Sequence, residues 1–351
     1  MTRVRRVAGL ALPVLVLSVA LAMVALMISA SGFDISKAAV AAIDGSFGSS
    51  FAIFSATLKR TTPILMLGLA VAVAFRAGVL NIGAEGQFLA GATAACTVGL
   101  AVGTRGGFGA IVSELGAGVL GGAAWAGVAA LLKRRYAVTE VVSTLLLNFV
   151  ALYLVGFLVR GPLQEPSRAY PQSAVLDPGV RLPLLVAGQR LHVGFAFALL
   201  VAVGIWWFFG ATASGYRVRV TGAGRSAAAS AGRVDVAAVQ MWALVASGAI
   251  AGLAGACEVT GVTYALYEGL SPGYGYTAIA VALLGGLNPI GIVVSATLFG
   301  AIGAGADAMQ RDAAIPAEFA AVAAALVVLG VLAAPGIQRV RLALVGKGAA
   351  R

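Results

Sequence analysis

The sequence predicts an all-α polytopic membrane protein with about ten transmembrane helices and both termini cytoplasmic. Three observations predict it. Apolar residues make up 60% of the 351-residue chain, against roughly 45–50% in soluble globular domains. Charged residues fall to 11%, where a soluble surface takes about a quarter. The apolar residues gather into separate runs, and most of the basic residues fall in alternate connections between them. The mean hydropathy of +0.99 agrees. The same figures exclude a disordered chain, a collagen-like chain and a disulfide scaffold, since there is no Gly-X-Y period and there are two Cys.

The elements follow in order. Arg3, Arg5 and Arg6 precede the apolar run Val7–Ile28. That run is longer than the roughly 7–15 residues of a signal-peptide core, so it reads as an uncleaved first span, residues 7–30. Further spans fall at 61–75, 87–103, 110–132, 139–159, 193–210, 236–258, 276–287, 290–306 and 317–334. These segments use up the chain, so residues 1–351 read as one transmembrane domain with no soluble catalytic part. With the N-terminus inside, 15 of the 24 basic residues lie on the inner side, but only Glu85, Glu140 and Asp235 of the 13 acids. The net charge of +11 then divides into +12 inside and −1 outside, as the positive-inside rule requires. The basic balance therefore reports topology and not a nucleic-acid partner.

Two connections stand out. Residues 160–192 carry Gly161-Pro162, Pro166, Pro171, Pro178 and Pro183, a rigid extracytoplasmic loop. Residues 211–235 form a basic cytoplasmic loop in which Ser226–Ala231 is a good short helix between Gly224 and Gly232.

Polar groups lie where lipid should be. The three Asn, Asn81, Asn148 and Asn288, all fall in or beside spans. Asn81 and Glu85 are four apart and would share a helical face, with Gln87 close by. Glu140, Thr144 and Asn148 stand at i, i+4 and i+8, one polar stripe on an apolar helix. Such groups cannot face lipid cheaply. They either bond helix to helix, at about 1 kcal/mol or less each, or line a path for a polar solute. Tyr274 and Tyr276 could stack on a planar solute or sit in an interfacial belt. Residues 76–92 and 269–291 both break the apolar pattern with Gly and polar groups, as the discontinuous segments of transporters do.

Enzyme chemistry finds no support. A phosphate loop is absent, since Gly346-Lys347 is followed by Gly348. With His192 the only histidine, a metal centre or a Ser-His-Asp triad is excluded, and His192 reads as a loop residue at the membrane interface. Cys96 and Cys257, isolated in Gly/Ala-rich runs, read as small core residues.

The run from Phe75 through Asn81, Glu85 and Gln87 resembles the signature of ABC-importer permeases of the branched-chain amino acid/ribose type. It is closest to the branch that imports purine nucleosides with a basic-membrane-protein-like binding lipoprotein. Glu140–Asn148, Gly161-Pro162-Leu163 with Pro171-Gln172, and Gly275–Gly285 followed by Asn288-Pro289 extend the resemblance over about residues 60–335. It implies a permease without cofactor or enzymatic activity, in a bacterial plasma (inner) membrane. It also implies an ATP-binding subunit that uses ATP, a second permease forming a heterodimer, and an extracytoplasmic substrate-binding lipoprotein. Gly215-Tyr216-Arg217-Val218-Arg219 and the residues after it resemble the coupling helix that docks into the ATPase, with Arg217, Arg219, Gly224, Ala227, Ala228 and Gly232 as contacts. Solute is expected to pass near Asn81, Glu85, Gln87, Glu140, Thr144, Asn148, Tyr276 and Asn288 by alternating access. The alternative is an ion- or proton-coupled secondary transporter with Glu85 and Glu140 as its coupling carboxylates. The 211–235 loop discriminates the two, because a secondary transporter needs no ATPase.

Overall fold

A bilayer offers no water to backbone N–H and C=O groups, so an apolar chain must satisfy them within each segment. The computed structural model is accordingly helical and has no strand among its described residues, which are 18–19, 22–230, 234–316, 319, 321–322 and 325–326, less the side chains of Arg225 and Ala227. The helices are α1 (Ile35–Phe47), α2 (Lys59–Arg76), α3 (Ala84–Val102), α4 (Phe108–Tyr136), α5 (Glu140–Arg160), α6 (Gly194–Ala211), α7 (Ala213–Ala223), α8 (Arg225–Ser230), α9 (Val236–Glu258), α10 (Tyr274–Leu284) and α11 (Pro289–Ala313). A π-helical turn, Ala52–Leu58, leads into α2, and another, Val259–Thr263, follows α9.

Six helices among the described residues are long and apolar enough to cross a membrane: Ala52–Arg76, α4, α5, α6, Val236–Thr263 and α11. Helices α3 and α10 fall on two more of the expected spans. The expected first span, 7–30, and last span, 317–334, lie largely outside the described residues. The expected short second span is corrected: its helix starts at Ala52, because the π turn Ala52–Leu58 runs without a break into α2. Helix α1 was not expected, and Asp34 starts it by accepting from the Ser36 and Lys37 N–H groups at 2.8 and 3.2 Å.

The described residues form two compact units. One holds the residues before Leu58 and after Leu298. Here the Ser46 hydroxyl of α1 donates to Ala301 C=O at 2.7 Å, and Ile28, Ala38 and Ile315 form a small apolar cluster.

The other unit, Leu58–Leu298, is built around α9. Helices α3, α4 and α9 approach one another on glycine. A Cβ at Gly252 would meet the Gly118 carbonyl and, at 2.8 Å, Gly122 Cα; one at Gly255 would meet the Phe88 carbonyl. Small residues at such spacing let backbones touch where lipid gives no hydrophobic drive to associate.

The 160–192 loop packs onto the segment after α9. Ser173 N–H donates to Leu266 C=O at 2.7 Å, Leu176 N–H to Tyr264 C=O at 2.7 Å, and Leu182 N–H to Thr260 C=O at 3.0 Å. Arg160 and Glu268 form an ion pair at its margin. His192 lies in the loop just before α6, as expected, and is fully buried against Gly194 and Gly261, with Gly194 N–H donating to its Nδ1 at 3.2 Å. Burial, with the nearby Lys59 charge, pushes its pKa from 6.5 down to about 4. The folded state therefore holds fewer protons than the unfolded one between those values. The stabilisation is complete above pH 6.5 and drains as pH falls to 4, by about 3 kcal/mol in all. Thermal unfolding of detergent-purified protein should show this loss between pH 6.5 and 4. His192→Gln should flatten the slope, and an equal slope in the variant would remove His192 as its source.

Candidate functional site

The chain between α2 and α3 is the structural centre of the site. Gly78 has φ +72 and Gly83 precedes the first turn of α3, so residues 77–83 are not helical. Asn81 and Glu85 consequently do not share a helical face, which corrects the sequence expectation: Asn81 stands before α3 and Glu85 lies in its first turn.

An unwound backbone inside apolar surroundings needs partners for every polar group. Asn81, fully buried, donates to Gln87 Oε1 at 2.9 Å and Ser247 Oγ at 2.8 Å, and accepts from Gly83 N–H at 2.9 Å and Gln87 Nε2 at 3.0 Å. Ser247 passes the chain on to Ala70 C=O at 2.6 Å. The α5 stripe supplies the rest. Thr144 Oγ1 accepts from Ile82 N–H at 3.3 Å. Asn148 accepts from Gly86 N–H at 2.8 Å and donates to Ile82 C=O at 2.9 Å and to Tyr276 Oη at 3.3 Å. Asn81, Gln87, Thr144 and Asn148 thus hold the broken segment in shape.

The second glycine-rich break meets the first here. Gly273, with φ +89, opens α10, and Gly275 N–H donates to Glu85 Oε2 at 2.6 Å. Ser271 also hydrogen bonds Glu85. The N-termini of α3 and α10 therefore converge on one carboxylate, a favourable placement for negative charge. Gly275 is required by closeness, since a Cβ there would stand 2.7 Å from Glu85 Cα. Tyr276 is 43% exposed beside this junction, while Tyr274 turns inward, edge-on to Phe88 at 6.2 Å.

Two expected members stand apart. Glu140 pairs with Lys133 at 3.2 Å, and Lys133 also reaches Gln240 at 3.1 Å. Asn288 is exposed and caps its own turn, accepting from Ile290 N–H at 3.0 Å. Among the described residues no group of three or more His, Cys, Asp or Glu comes together as a metal site. Both cysteines are free and buried.

In the 211–235 segment the structure has two helices, not one. Helix α7 contains Gly215–Arg219, which the resemblance joined to the residues after it as one coupling helix; the signal for a separate helix was the Thr212 cap, which accepts from Gly215 N–H at 3.0 Å. Helix α8 covers the expected Ser226–Ala231 run as far as Ser230. Arg217 and Arg219 are exposed, Gly224 joins the helices in extended conformation, and Ala228 is fully buried. The side chain of Ala227 and all of Gly232 lie outside the described residues. Helix α7 touches the broken segment directly: Gly222 packs on the Arg76 carbonyl and on Gly78 N.

Comparison with known proteins adds the following. The family described as branched-chain amino acid transport system / permease component matches residues 53–334. The chain is 35% identical to the guanosine ABC transporter permease protein NupP of Bacillus subtilis, over 99% of both chains. It is 31% identical to the glucose ABC transporter permease protein TsgB13 of Haloferax volcanii, over 82% of this chain and 78% of that one. The nucleoside ABC transporter permease protein NupB of Lactococcus lactis is 28% identical over 78% and 77%. A second guanosine permease of B. subtilis, NupQ, and a second nucleoside permease of L. lactis, NupC, also match, at 26% and 27% identity. No solved structure matches the chain.

Proposed function

Because the chain belongs to the branched-chain amino acid transport system / permease component family, we infer that it is the membrane-spanning permease subunit of an ABC importer that carries purine nucleosides. The single observation behind the solute class is the end-to-end match to a guanosine permease. The chain is a transport subunit and not an enzyme.

The arrangement has ten spans, both termini cytoplasmic, residues 160–192 outside and residues 211–235 inside. The whole chain works as one permease domain in a bacterial plasma (inner) membrane. Its partners are an ATP-binding subunit that consumes ATP, a second permease and an extracytoplasmic binding lipoprotein. The occurrence of paired permeases among the nucleoside relatives supports a heterodimer.

Solute passes at the junction of the two broken segments, where Glu85 and Tyr276 border the route and Asn81, Gln87, Thr144 and Asn148 keep its wall in place. Glu140 and Asn288 lie at its margins. Energy enters through α7 and α8, with Arg217, Arg219, Gly224, Ala227, Ala228 and Gly232 as the coupling surface, and reaches residues 77–83 through Gly222. The ion-coupled alternative has no observation in its favour, since Glu140 is already paired with Lys133.

Affinity purification of the tagged chain from its native membrane tests the reading. An ATP-binding subunit and a second permease should accompany it, and ATP hydrolysis should rise with guanosine and not with glucose. Stimulation by glucose alone would overturn the solute class; a chain that purifies alone and moves solute on an ion gradient would overturn the importer. Ala229, exposed on α8, is the position that reads docking. Ala229→Asp should cut uptake at least tenfold while membrane level and melting stay unchanged. Ala228→Asp would instead bury a charge within this chain, so its effect mixes docking with folding.

A further inference from the structure

A cavity of 540 Å³ between α2, α6, α7 and α9 plays no part in the solute route. Its lining is graded along α9. It begins at Asp235, the helix cap, and ends at Ile250, about 22 Å further at 1.5 Å per residue. Ser214, Arg217 and Asp235 stand at the first end, while Ala246 and Ile250 make the far end purely aliphatic.

Trp242 lines the cavity, and Trp206 and Trp207 of α6 and Tyr216 of α7 are sequence neighbours of lining residues, each more than half exposed. Trp and Tyr with an apolar body and a wet edge collect at membrane–water levels, which is where the polar end is assigned. Its volume is that of a ligand site, in the range of roughly 300–1,000 Å³.

Arg217 and Asp235 line the same mouth without pairing. Asp235 accepts the cap bond from Ala238 N–H at 2.9 Å, and neither residue is in an ion pair among the described residues. A cation and an anion held apart at the entrance of an apolar slot are complementary to a zwitterionic headgroup on a hydrocarbon tail. We propose that this cavity holds one phospholipid with a primary-ammonium headgroup, of the phosphatidylethanolamine class. Its phosphate sits at Arg217 and Ser214, its ammonium donates to Asp235, and an acyl chain lies along α9 toward Ile250. A glycerol headgroup brings the same phosphate but meets Asp235 with uncharged hydroxyls only, without the ammonium's charge-assisted bond. A choline headgroup has no N–H to give that carboxylate. The inference rests on the membrane character of the chain and is independent of the solute.

Native mass spectrometry of the purified full chain, titrated with dioleoyl phosphatidylethanolamine, phosphatidylcholine or phosphatidylglycerol, tests it. One phosphatidylethanolamine should be retained about tenfold more tightly than either other lipid, the size of one charge-assisted hydrogen bond. Asp235→Asn keeps a good helix cap, so the protein folds, and it should erase the difference between ethanolamine and choline lipids. Ala246→Phe should lower retention of all three by occupying the tail slot. Equal retention of the three lipids by the wild-type chain, a preference for phosphatidylglycerol, or retention unaffected by both variants would overturn the proposal. So would loss of the lipid when the chain is purified with a second permease, because the cavity would then be a protein interface. Arg217, shared with the proposed coupling surface, is left untouched.

Discussion

Asn148→Leu should lower the melting temperature of the purified protein and abolish uptake. The native amide accepts from Gly86 N–H and donates to Ile82 C=O in a site that is 2% exposed. Leucine leaves both backbone groups without partners, and each orphaned buried group costs about 1–3 kcal/mol. Against a total stability of about 5–15 kcal/mol for a typical domain, that is a large share. Asn148→Asp keeps the acceptor for Gly86 and loses the donor to Ile82, so it should fall between wild type and leucine. Fluorescence-monitored unfolding and vesicle uptake read both effects. Wild-type melting in the leucine variant would mean that the amide does not hold residues 77–86.

Gly252→Leu should be more damaging still, giving little or no folded protein on size-exclusion chromatography. Its side chain would enter the space taken by the Gly118 carbonyl and Gly122 Cα. Backbone there cannot retreat without separating α4 from α9. Overpacking ordinarily costs about 1–3 kcal/mol when side chains can give way; here the obstacle is main chain. Gly127→Ala on α4 is the matched control, because nothing lies within 4 Å of the added methyl. It should be neutral or stabilising by up to about 1 kcal/mol. Equal behaviour of the two variants would show that the α4–α9 approach is looser than described.

Much of this was legible in residue order, for physical reasons that also mark where reading stops. Apolar run length located the helices from α2 to α6, α9, α10 and α11, because a bilayer requires a minimum length. The Glu140, Thr144 and Asn148 stripe was visible because helical period is local; Thr144 and Asn148 are indeed buried together on α5. The Gly-rich break over residues 76–92 was visible, but Asn81 was still set on a helical face with Glu85, because residue order does not show which glycine in that stretch ends one helix and which precedes the next. Its partners, Ser247 and Ala70, are distant in sequence, and one chain does not announce such pairs. The Gly118/Gly122 and Gly248/Gly252 spacings were readable signals of close helix approach that composition alone passed over. Helix α7 was hidden by its basic, weakly apolar content.

The contact between Gly222 and the Arg76 carbonyl has a thermodynamic consequence. It makes the position of α7 and the conformation of residues 77–83 a single variable, with no side chain between them to absorb displacement. On the proposed route, a partner at α7 and a solute at Glu85 would each change the other's affinity by the same factor. An occupied route would report itself, through main-chain contact alone, as tighter or looser engagement at α7.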